Sequence, residues 1–336
     1  MKVLKTILKI IGYILLTLLI IVLLLCIFHH IRNFITRKDI SAPGNRIEVY
    51  DNEYIHAIKM GSVDYTIVLL PGMGMASPYY DFYKLATELS KTNQVIVLEP
   101  FGYGFSDNTD KKRNLDNYEY ELSKVLDYYS IKDNIILLGH SYSGISNFNY
   151  ADKHEEVKGY VCLDCTTAYQ IETHVKDGKF TEKVPKTPKI TSIVTPLGIT
   201  RFIYSTIMSK EVKNTLLKEV PEEYHKAYKY LLYNKSLNKT VINETNDIYE
   251  NQLEILDKQY REDLHVLTIL SDETVSEMKE YKEAGDFKKD WEEMHNALIS
   301  NEDIQHIYIL EGDHFIYHGN VDKVTNLINE MIETLK

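Results

Sequence analysis

The chain has 336 residues, with 49 acidic and 38 basic side chains and a formal net charge of −11. Residues 1–38 carry six of the basic residues and no acidic one, so residues 39–336 hold a net charge of −17. A globule this acidic repels phosphate backbones, which excludes nucleic acid as a partner. Its length of about 300 residues fits one large domain, or one domain that carries an insertion.

The first 38 residues differ from the rest because residues 10–28 form an uncharged, strongly apolar run. As a helix, this run is about 28 Å long, close to the thickness of a bilayer's hydrocarbon core. A cleaved signal peptide usually has a shorter apolar segment of about 7–15 residues, followed by a small-residue cleavage site. The residues that follow this run offer no such site. We therefore predict a tail and single-pass anchor over residues 1–38, with residues 10–28 in the lipid bilayer.

The flanking charges of the predicted anchor favour one orientation only weakly. Three lysines precede the apolar run and three basic residues follow it within ten positions, so the positive-inside rule is nearly balanced. Because the leading lysines lie on a very short tail, we expect a cytoplasmic N-terminus. The sequence thus favours a cell-membrane protein whose catalytic domain is extracytoplasmic.

After the anchor, short apolar runs alternate with amphipathic helical stretches, which is typical of a parallel sheet covered on both faces. Residues 40–60 favour two leading antiparallel strands. The buried strands predicted next lie at 65–70, 94–98, 134–138, 159–163, 265–270 and 305–310. The helices predicted between and after them lie at 79–91, 117–129, 145–152 and 320–335.

The alternation breaks between residues 166 and 262, where prolines, lysines and tyrosines are frequent and no buried-strand run occurs. We predict an inserted helical lid over 166–262, between two parts of one α/β core at 39–165 and 263–336. The predicted fold class is α/β, with a mostly parallel central sheet flanked by helices.

A candidate nucleophile lies in residues 139–144, where Gly139, Ser141 and Gly144 belong to the run Gly-His-Ser-Tyr-Ser-Gly. The run directly follows a predicted strand and precedes a predicted helix. A serine on so sharp a turn is exposed above the sheet, and small residues are needed two positions before and after it. Gly139 meets the first requirement, and Ser143 meets the second. An ordinary Gly/Ser turn is the alternative interpretation.

A nucleophilic serine needs a general base, and His314 is the preferred candidate. It follows the last predicted strand on a turn marked by Gly312, from which it can reach over the edge of the sheet to Ser141. The other histidines suit the role less well by position, namely His140, His295 and His318.

An oxyanion requires backbone N–H donors, and two candidates follow from the same pattern. One is Tyr142, directly after the nucleophile. The other is Met73 in the loop after the strand at 65–70, where Gly72 and Gly74 let the backbone approach a substrate carbonyl. A plain strand-ending turn remains the alternative for this loop.

These motifs together resemble the α/β-hydrolase superfamily. The motifs are Leu-Pro-Gly-Met-Gly at 70–74, Phe-Gly-Tyr-Gly-Phe-Ser-Asp at 101–107, the serine turn at 139–144, and Gly-Asp-His at 312–314. The resemblance covers about residues 45–165 and 263–336 and leaves the lid unmatched in detail.

The resemblance implies the α/β-hydrolase fold and a serine nucleophile. It speaks against the epoxide hydrolase and haloalkane dehalogenase branches, which have aspartate at this turn. Glu99, where the pattern usually has aspartate, and Pro71, in place of a common histidine, depart from the family with little catalytic weight.

The acid of the triad stays open between several carboxylates. Superfamily members place it after the strand at 159–163 or, more often, after the strand at 265–270. The commoner register falls on a threonine here, although a relaxed loop could present Asp272 or Glu273. Asp164 matches the other arrangement directly, although it could be only a hydrogen-bonding strand terminus. We rank Asp164 above Asp272, and Glu273 after both.

The predicted function is hydrolysis of a small-molecule carboxylic ester through an acyl-enzyme on Ser141. Amides, thioesters and carbon–carbon bonds are alternative substrates for the same apparatus. A non-catalytic binding protein on this fold is the alternative of another class. The sequence has no ligand cluster for a metal, and we expect no cofactor.

Overall fold

The computed structural model describes residues 2–62, 65–208, 210 and 217–336. The chain begins with one 36-residue helix, α1 (Lys2–Arg37), which contains the predicted anchor. Its most apolar window has a mean hydropathy of 3.2 and none of it is buried, so α1 is long and apolar enough to cross a membrane. A signal sequence would meet the same criteria, and the single-pass anchor therefore stays a prediction.

The central sheet has eight strands in the order β1-β2-β4-β3-β5-β6-β9-β10. β1 and β2 are antiparallel to their neighbours, and the other strands run parallel. The strands are β1 (Asn45–Tyr50), β2 (Glu53–Met60), β3 (Thr66–Leu70), β4 (Gln94–Glu99), β5 (Ile135–His140), β6 (Val157–Leu163), β9 (His265–Ser271) and β10 (Gln305–Leu310). The predicted fold class is confirmed, and each predicted strand lies within about two residues of its observed position.

Helices cover both faces of this sheet. The apolar side chains of each strand alternate between the two faces, and both faces must be shielded from water, so two hydrophobic clusters form. Val68 and Leu70 enter one cluster, and Ile67 and Leu69 enter the other. The helices that flank the sheet are α2 (Pro78–Asp81), α3 (Tyr83–Leu89), α4 (Leu115–Tyr128), α5 (Ser143–Lys153), α9 (Asp272–Ala284), α10 (Trp291–Asn296) and α11 (Val321–Thr334).

Two helical regions differ from the sequence prediction. The helix predicted at 79–91 is divided into α2 and α3 at Phe82, whose buried ring packs against Tyr317 with 5.0 Å between centroids. The loop expected after β9 is the helix α9 instead. It begins there because the Ser271 hydroxyl accepts a hydrogen bond from the Thr274 N–H at 3.1 Å and caps the helix.

The described part of residues 166–262 adds no strand to the central sheet. Residues 209 and 211–216 of the predicted lid lie outside the described residues. The elements here are a hairpin of β7 (Val175–Lys176) and β8 (Lys179–Phe180), and the helices α6 (Ile199–Phe202), α7 (His225–Lys235) and α8 (Lys239–Glu254), with short 3₁₀ and π turns between them. Asn238 caps the start of α8, because its side chain accepts hydrogen bonds from the Thr240 and Val241 N–H groups.

Candidate active site

The candidate nucleophile lies on a strained turn between β5 and α5. Ser141 has a φ of +54°, a conformation that is uncommon for residues other than glycine. Its N–H donates to the Leu163 carbonyl at 3.2 Å, and its carbonyl accepts from the Thr166 N–H at 2.9 Å. The adjoining end of β6 therefore holds the serine turn in place.

The small residues around Ser141 are required by close packing. A Cβ at Gly139 would lie 2.8 Å from Asn147 Nδ2, and one at Gly144 would lie 2.5 Å from Cys165 Cβ. Ser143, which the sequence analysis treated only as small, also makes hydrogen bonds. Its hydroxyl accepts from the His140 N–H at 2.9 Å and lies 3.0 Å from the Leu70 carbonyl, so it joins the turn to the end of β3.

His314 and Asp164 are brought together by the structure. His314 Nδ1 lies 2.7 Å from Asp164 Oδ2, and the Asp164 side chain is completely buried. Asp164 also accepts hydrogen bonds from the Ser271 N–H at 3.2 Å, the Thr274 hydroxyl at 2.6 Å and the Trp291 indole N–H at 2.7 Å. Both carboxylate oxygens therefore have donors.

The protonation state of this pair follows from its contacts. Burial alone would raise the pKa of Asp164, but the hydrogen bonds from His314, Thr274 and Trp291 outweigh it and hold the pKa below its usual value. An ionised Asp164 only accepts hydrogen bonds, so Nδ1 of His314 carries the proton. This tautomer leaves Nε2 as the acceptor, which is what a general base for serine requires.

Asp272 and Glu273 occupy different positions from those that the sequence analysis considered. Both lie in the first turn of α9. Asp272 Oδ1 accepts from the Gly312 N–H at 2.9 Å and so supports the loop that carries His314. Glu273 is exposed. Within the described residues, neither carboxylate contacts the imidazole of His314.

The loop after β3 lies directly against the serine turn. A Cβ at Gly72 would lie 2.9 Å from Ser141 Cβ and 2.8 Å from His140 Nδ1, so no side chain fits there. The Gly74 N–H donates to the Tyr103 hydroxyl at 3.0 Å. In the part of the chain that the structure describes, the N–H groups of Met73 and Tyr142 have no protein acceptor.

Helix α8, which belongs to the predicted lid, contacts this loop through a buried network. The Tyr103 hydroxyl, which accepts from Gly74, donates to one oxygen of Glu244 on α8. The Tyr118 hydroxyl donates to the other oxygen. Burial raises the pKa of Glu244, although both tyrosine hydroxyls and the nearby Arg113 favour the charged form. A cavity of about 20 Å³ beside this network is too small for an acyl chain.

α8 also contacts the two candidate oxyanion residues by their side chains. Asn251 Nδ2 donates to the Tyr142 hydroxyl at 2.7 Å, and the Thr245 hydroxyl lies 3.5 Å from Met73 Sδ. The sequence analysis missed these contacts because their partners are more than 100 residues apart. No local pattern marks polar residues on a lid helix as contacts of the oxyanion loop.

Of the other histidines, His140 and His295 are buried and His318 is partly buried. Burial, together with the charge of His314, lowers the pKa of His140 to about 3. Its Nε2–H donates to the His314 carbonyl at 2.9 Å, so His140 supports the backbone of the candidate base. Burial also lowers the pKa of His318. His295 packs edge-on against Trp291. His314 itself is 43% exposed, and substrate could reach it.

A metal site was not expected at this edge of the sheet. Within residues 2–62, 65–208, 210 and 217–336, no group of three or more His, Cys, Asp or Glu side chains could hold a metal ion.

Comparisons with known proteins agree with the fold. A family model described as "alpha/beta hydrolase fold" matches residues 65–189. The protein YbdG of Bacillus subtilis (strain 168) is 27% identical over 338 residues, which cover 99% of this chain and all of that protein.

Two solved structures share the architecture at low identity. An epoxide hydrolase from Vigna radiata has a TM-score of 0.57 at 16% identity, covering 86% of this chain and 97% of that one. A thermophilic esterase from Thermogutta terrifontis also has a TM-score of 0.57, at 15% identity, covering 86% and 98%. The sheet order and these matches show that the chain has the α/β-hydrolase fold.

Proposed function

We propose that this chain is a serine hydrolase that cleaves small-molecule carboxylic esters through an acyl-enzyme. The observation that supports the proposal most is the 2.7 Å contact between His314 and the buried Asp164. In the same chain, Ser141 follows β5 and has the positive φ that is typical of a nucleophile on a strand-to-helix turn. The Thermogutta esterase shares the fold and offers a precedent for ester chemistry on it.

In the proposed reaction, His314 Nε2 takes the proton of the Ser141 hydroxyl as Oγ attacks the substrate carbonyl. Asp164 keeps the imidazole in the required tautomer and stabilises the imidazolium that forms. The N–H groups of Met73 and Tyr142 receive the oxyanion. His314 then donates its proton to the leaving alcohol and activates a water molecule, which releases the acid and restores Ser141.

Amide, thioester and carbon–carbon hydrolysis use the same groups and remain alternative activities. They differ in the leaving group, which the lid rather than the triad would select. A panel of esters with increasing acyl length, compared with the matching amides and thioesters, separates these activities by their kcat/KM values.

The first prediction concerns the nucleophile. Ser141→Ala should lose labelling by a fluorophosphonate probe, and ester hydrolysis should fall by about 10⁴-fold or more, because the attacking atom is removed. Ser146→Ala, one turn into α5, is the matched control and should keep both. Equal labelling of the wild type and Ser141→Ala would leave the non-catalytic binding protein as the better interpretation.

The second prediction concerns the acid. Asp164→Asn should lower kcat by about 10⁴-fold, because the amide favours the wrong tautomer of His314. Asp272→Asn should lower it by less than about tenfold, because the carboxylate of Asp272 contacts the backbone of the loop and none of the described catalytic side chains. Steady-state kinetics of both variants, with near-ultraviolet circular dichroism to verify folding, provide the measurement. A larger loss in Asp272→Asn would reverse our ranking of the two carboxylates.

The third prediction concerns the contact between the lid and the oxyanion loop. Tyr103→Phe removes the hydroxyl between Gly74 and Glu244, so the loop should move and kcat should fall by about 10–100-fold with little change in KM. Tyr118→Phe is the control, since it removes an equivalent bond to Glu244 without contacting the loop. Equal effects of the two substitutions would contradict a role for Tyr103 in positioning the loop.

We further propose that α1 anchors the protein in a cell membrane with the catalytic domain on the extracytoplasmic side. Protease added to intact cells should then digest the domain and leave a membrane-bound fragment of α1. Full protection until the cells are lysed would instead indicate a cytoplasmic domain, and release of the whole domain into the medium would indicate a cleaved signal sequence.

A further inference from the structure

A basic cleft lies where the C-terminal part of α1 meets the lid, away from Ser141. It has a volume of about 300 Å³. Phe28, Arg32 and Thr36 line one side from successive turns of α1, and α6 and α7 supply the other side. The cations in the lining are Arg32, Arg201, Lys226 and Lys229.

Arg201 is buried in this cleft. It is only 8% exposed, and its guanidinium contacts neutral groups: His29 Nδ1 at 3.2 Å, the Asn33 amide oxygen, and the Tyr233 ring with its centroid at 4.4 Å. None of the described carboxylates pairs with it. Burial lowers the pKa of Arg201. A buried cation of this kind is stabilised by a bound anion.

The neighbouring cations are also largely uncompensated. Lys226 pairs with Asp39 on the surface. Arg32 and Lys229 are exposed and form no ion pair within residues 2–62, 65–208, 210 and 217–336. The cleft therefore presents four basic side chains to one small volume, three of them without an ion pair among the described residues, and its lining contains no described acid.

The position of the cleft along α1 indicates where it would lie relative to a bilayer. Phe28 is the last residue of the apolar run, and Arg32 and Thr36 follow one and two turns later. At 1.5 Å per residue they lie about 6 and 12 Å beyond the apolar segment, so Arg32 is at the depth of the lipid headgroups and Thr36 lies just outside them.

Close packing fixes the lid to this part of α1. A Cβ at Gly198 would lie 2.7 Å from His29 Cβ and 2.8 Å from the Leu25 carbonyl. The Cys26 thiol lies 3.6 Å from the Pro196 carbonyl, and the Asn33 side chain donates to Asn234 at 2.7 Å. The predicted lid therefore contacts the last turn of the apolar run as well as the turns beyond it.

The lid also exposes apolar side chains next to these contacts. They lie in the turns just before Pro196 and in the helical segment that contains Arg201, and they are Ile190, Ile193, Phe202, Ile203 and Ile207. Apolar and basic side chains on adjacent turns are typical of a surface that enters the headgroup layer.

We propose that this cleft binds the headgroup of an anionic phospholipid. The phosphate oxygens would accept hydrogen bonds from Arg201, Arg32 and Lys229, and the acyl chains would run along α1 beside Phe28. The site is separate from Ser141 and needs no hydrolysis of the bound lipid, so it stands independently of the proposed esterase activity. It requires α1 to remain attached.

The test uses the full-length chain in neutral detergent micelles. The probe is short-chain phosphatidylglycerol, and its binding is followed by native mass spectrometry over a titration. Phosphatidylcholine of the same chain length and inorganic phosphate are the comparison ligands. We expect saturable binding of phosphatidylglycerol, none of phosphatidylcholine at the same concentrations, and no displacement of the lipid by a tenfold excess of inorganic phosphate.

Charge variants assign the binding to the cleft. Arg32→Gln combined with Lys229→Gln should weaken phosphatidylglycerol binding by roughly 20-fold, and both side chains are exposed, so folding should be preserved. Lys132→Gln combined with Lys158→Gln is the matched control. Both lysines lie at the N-terminal ends of strands, before β5 and in β6, and not at the cleft. This variant removes the same charge and should change binding by less than about twofold.

Three outcomes would overturn the proposal. One is that the cleft variant binds phosphatidylglycerol as tightly as the wild type does. Another is that the wild type binds phosphatidylcholine as tightly as phosphatidylglycerol. Displacement of the lipid by the tenfold excess of inorganic phosphate would mean that the cleft takes a free anion. Thermal midpoints of all variants show whether a loss of binding reflects a loss of folding. Arg201→Lys keeps the buried charge and should retain part of the affinity for phosphatidylglycerol.

Discussion

The arrangement of the candidate site depends on one buried carboxylate. Asp164 has no exposure to solvent, and an ionised group in that position is tolerated only when donors surround it. Those donors come from the end of β9, the first turn of α9, the start of α10 and the loop after β10. A single side chain thus holds together segments that are 107 to 150 residues away from it in sequence.

The parallel order of β5, β6, β9 and β10 explains why these segments meet. Parallel strands end at the same edge of a sheet, so the residues that follow each strand lie side by side. Ser141 and Asp164 each follow such a strand and have positive φ values, which turn both chains sharply above the sheet. The Asp164 N–H donates to the Ile269 carbonyl at 2.8 Å, and this bond keeps β6 in register with β9 up to its last residue.

Sequence patterns were sufficient for the strands, the serine turn and the position of His314, because each depends on local periodicity or on chain order. The choice between Asp164 and Asp272 depends on whether the chain after β9 forms a loop or a helix. Ser271 followed by two acidic residues is a helix-start signal, and this signal predicts α9. The Trp291 donor and the α8 contacts carry no such signal, since they arise only from tertiary packing.

The packing of Gly198 and Pro196 against α1 has a mechanical consequence. A domain on a flexible tether tumbles freely above a membrane, whereas a domain wedged against its own anchor keeps one tilt and one height. Under the membrane attachment that we propose, Ser141 would face a constant depth of the interface, and encounters with lipophilic substrates would follow their lateral diffusion in the plane of the bilayer. Cleavage after Arg37 would release the domain from the membrane. It would also remove α1, the helix against which the predicted lid packs.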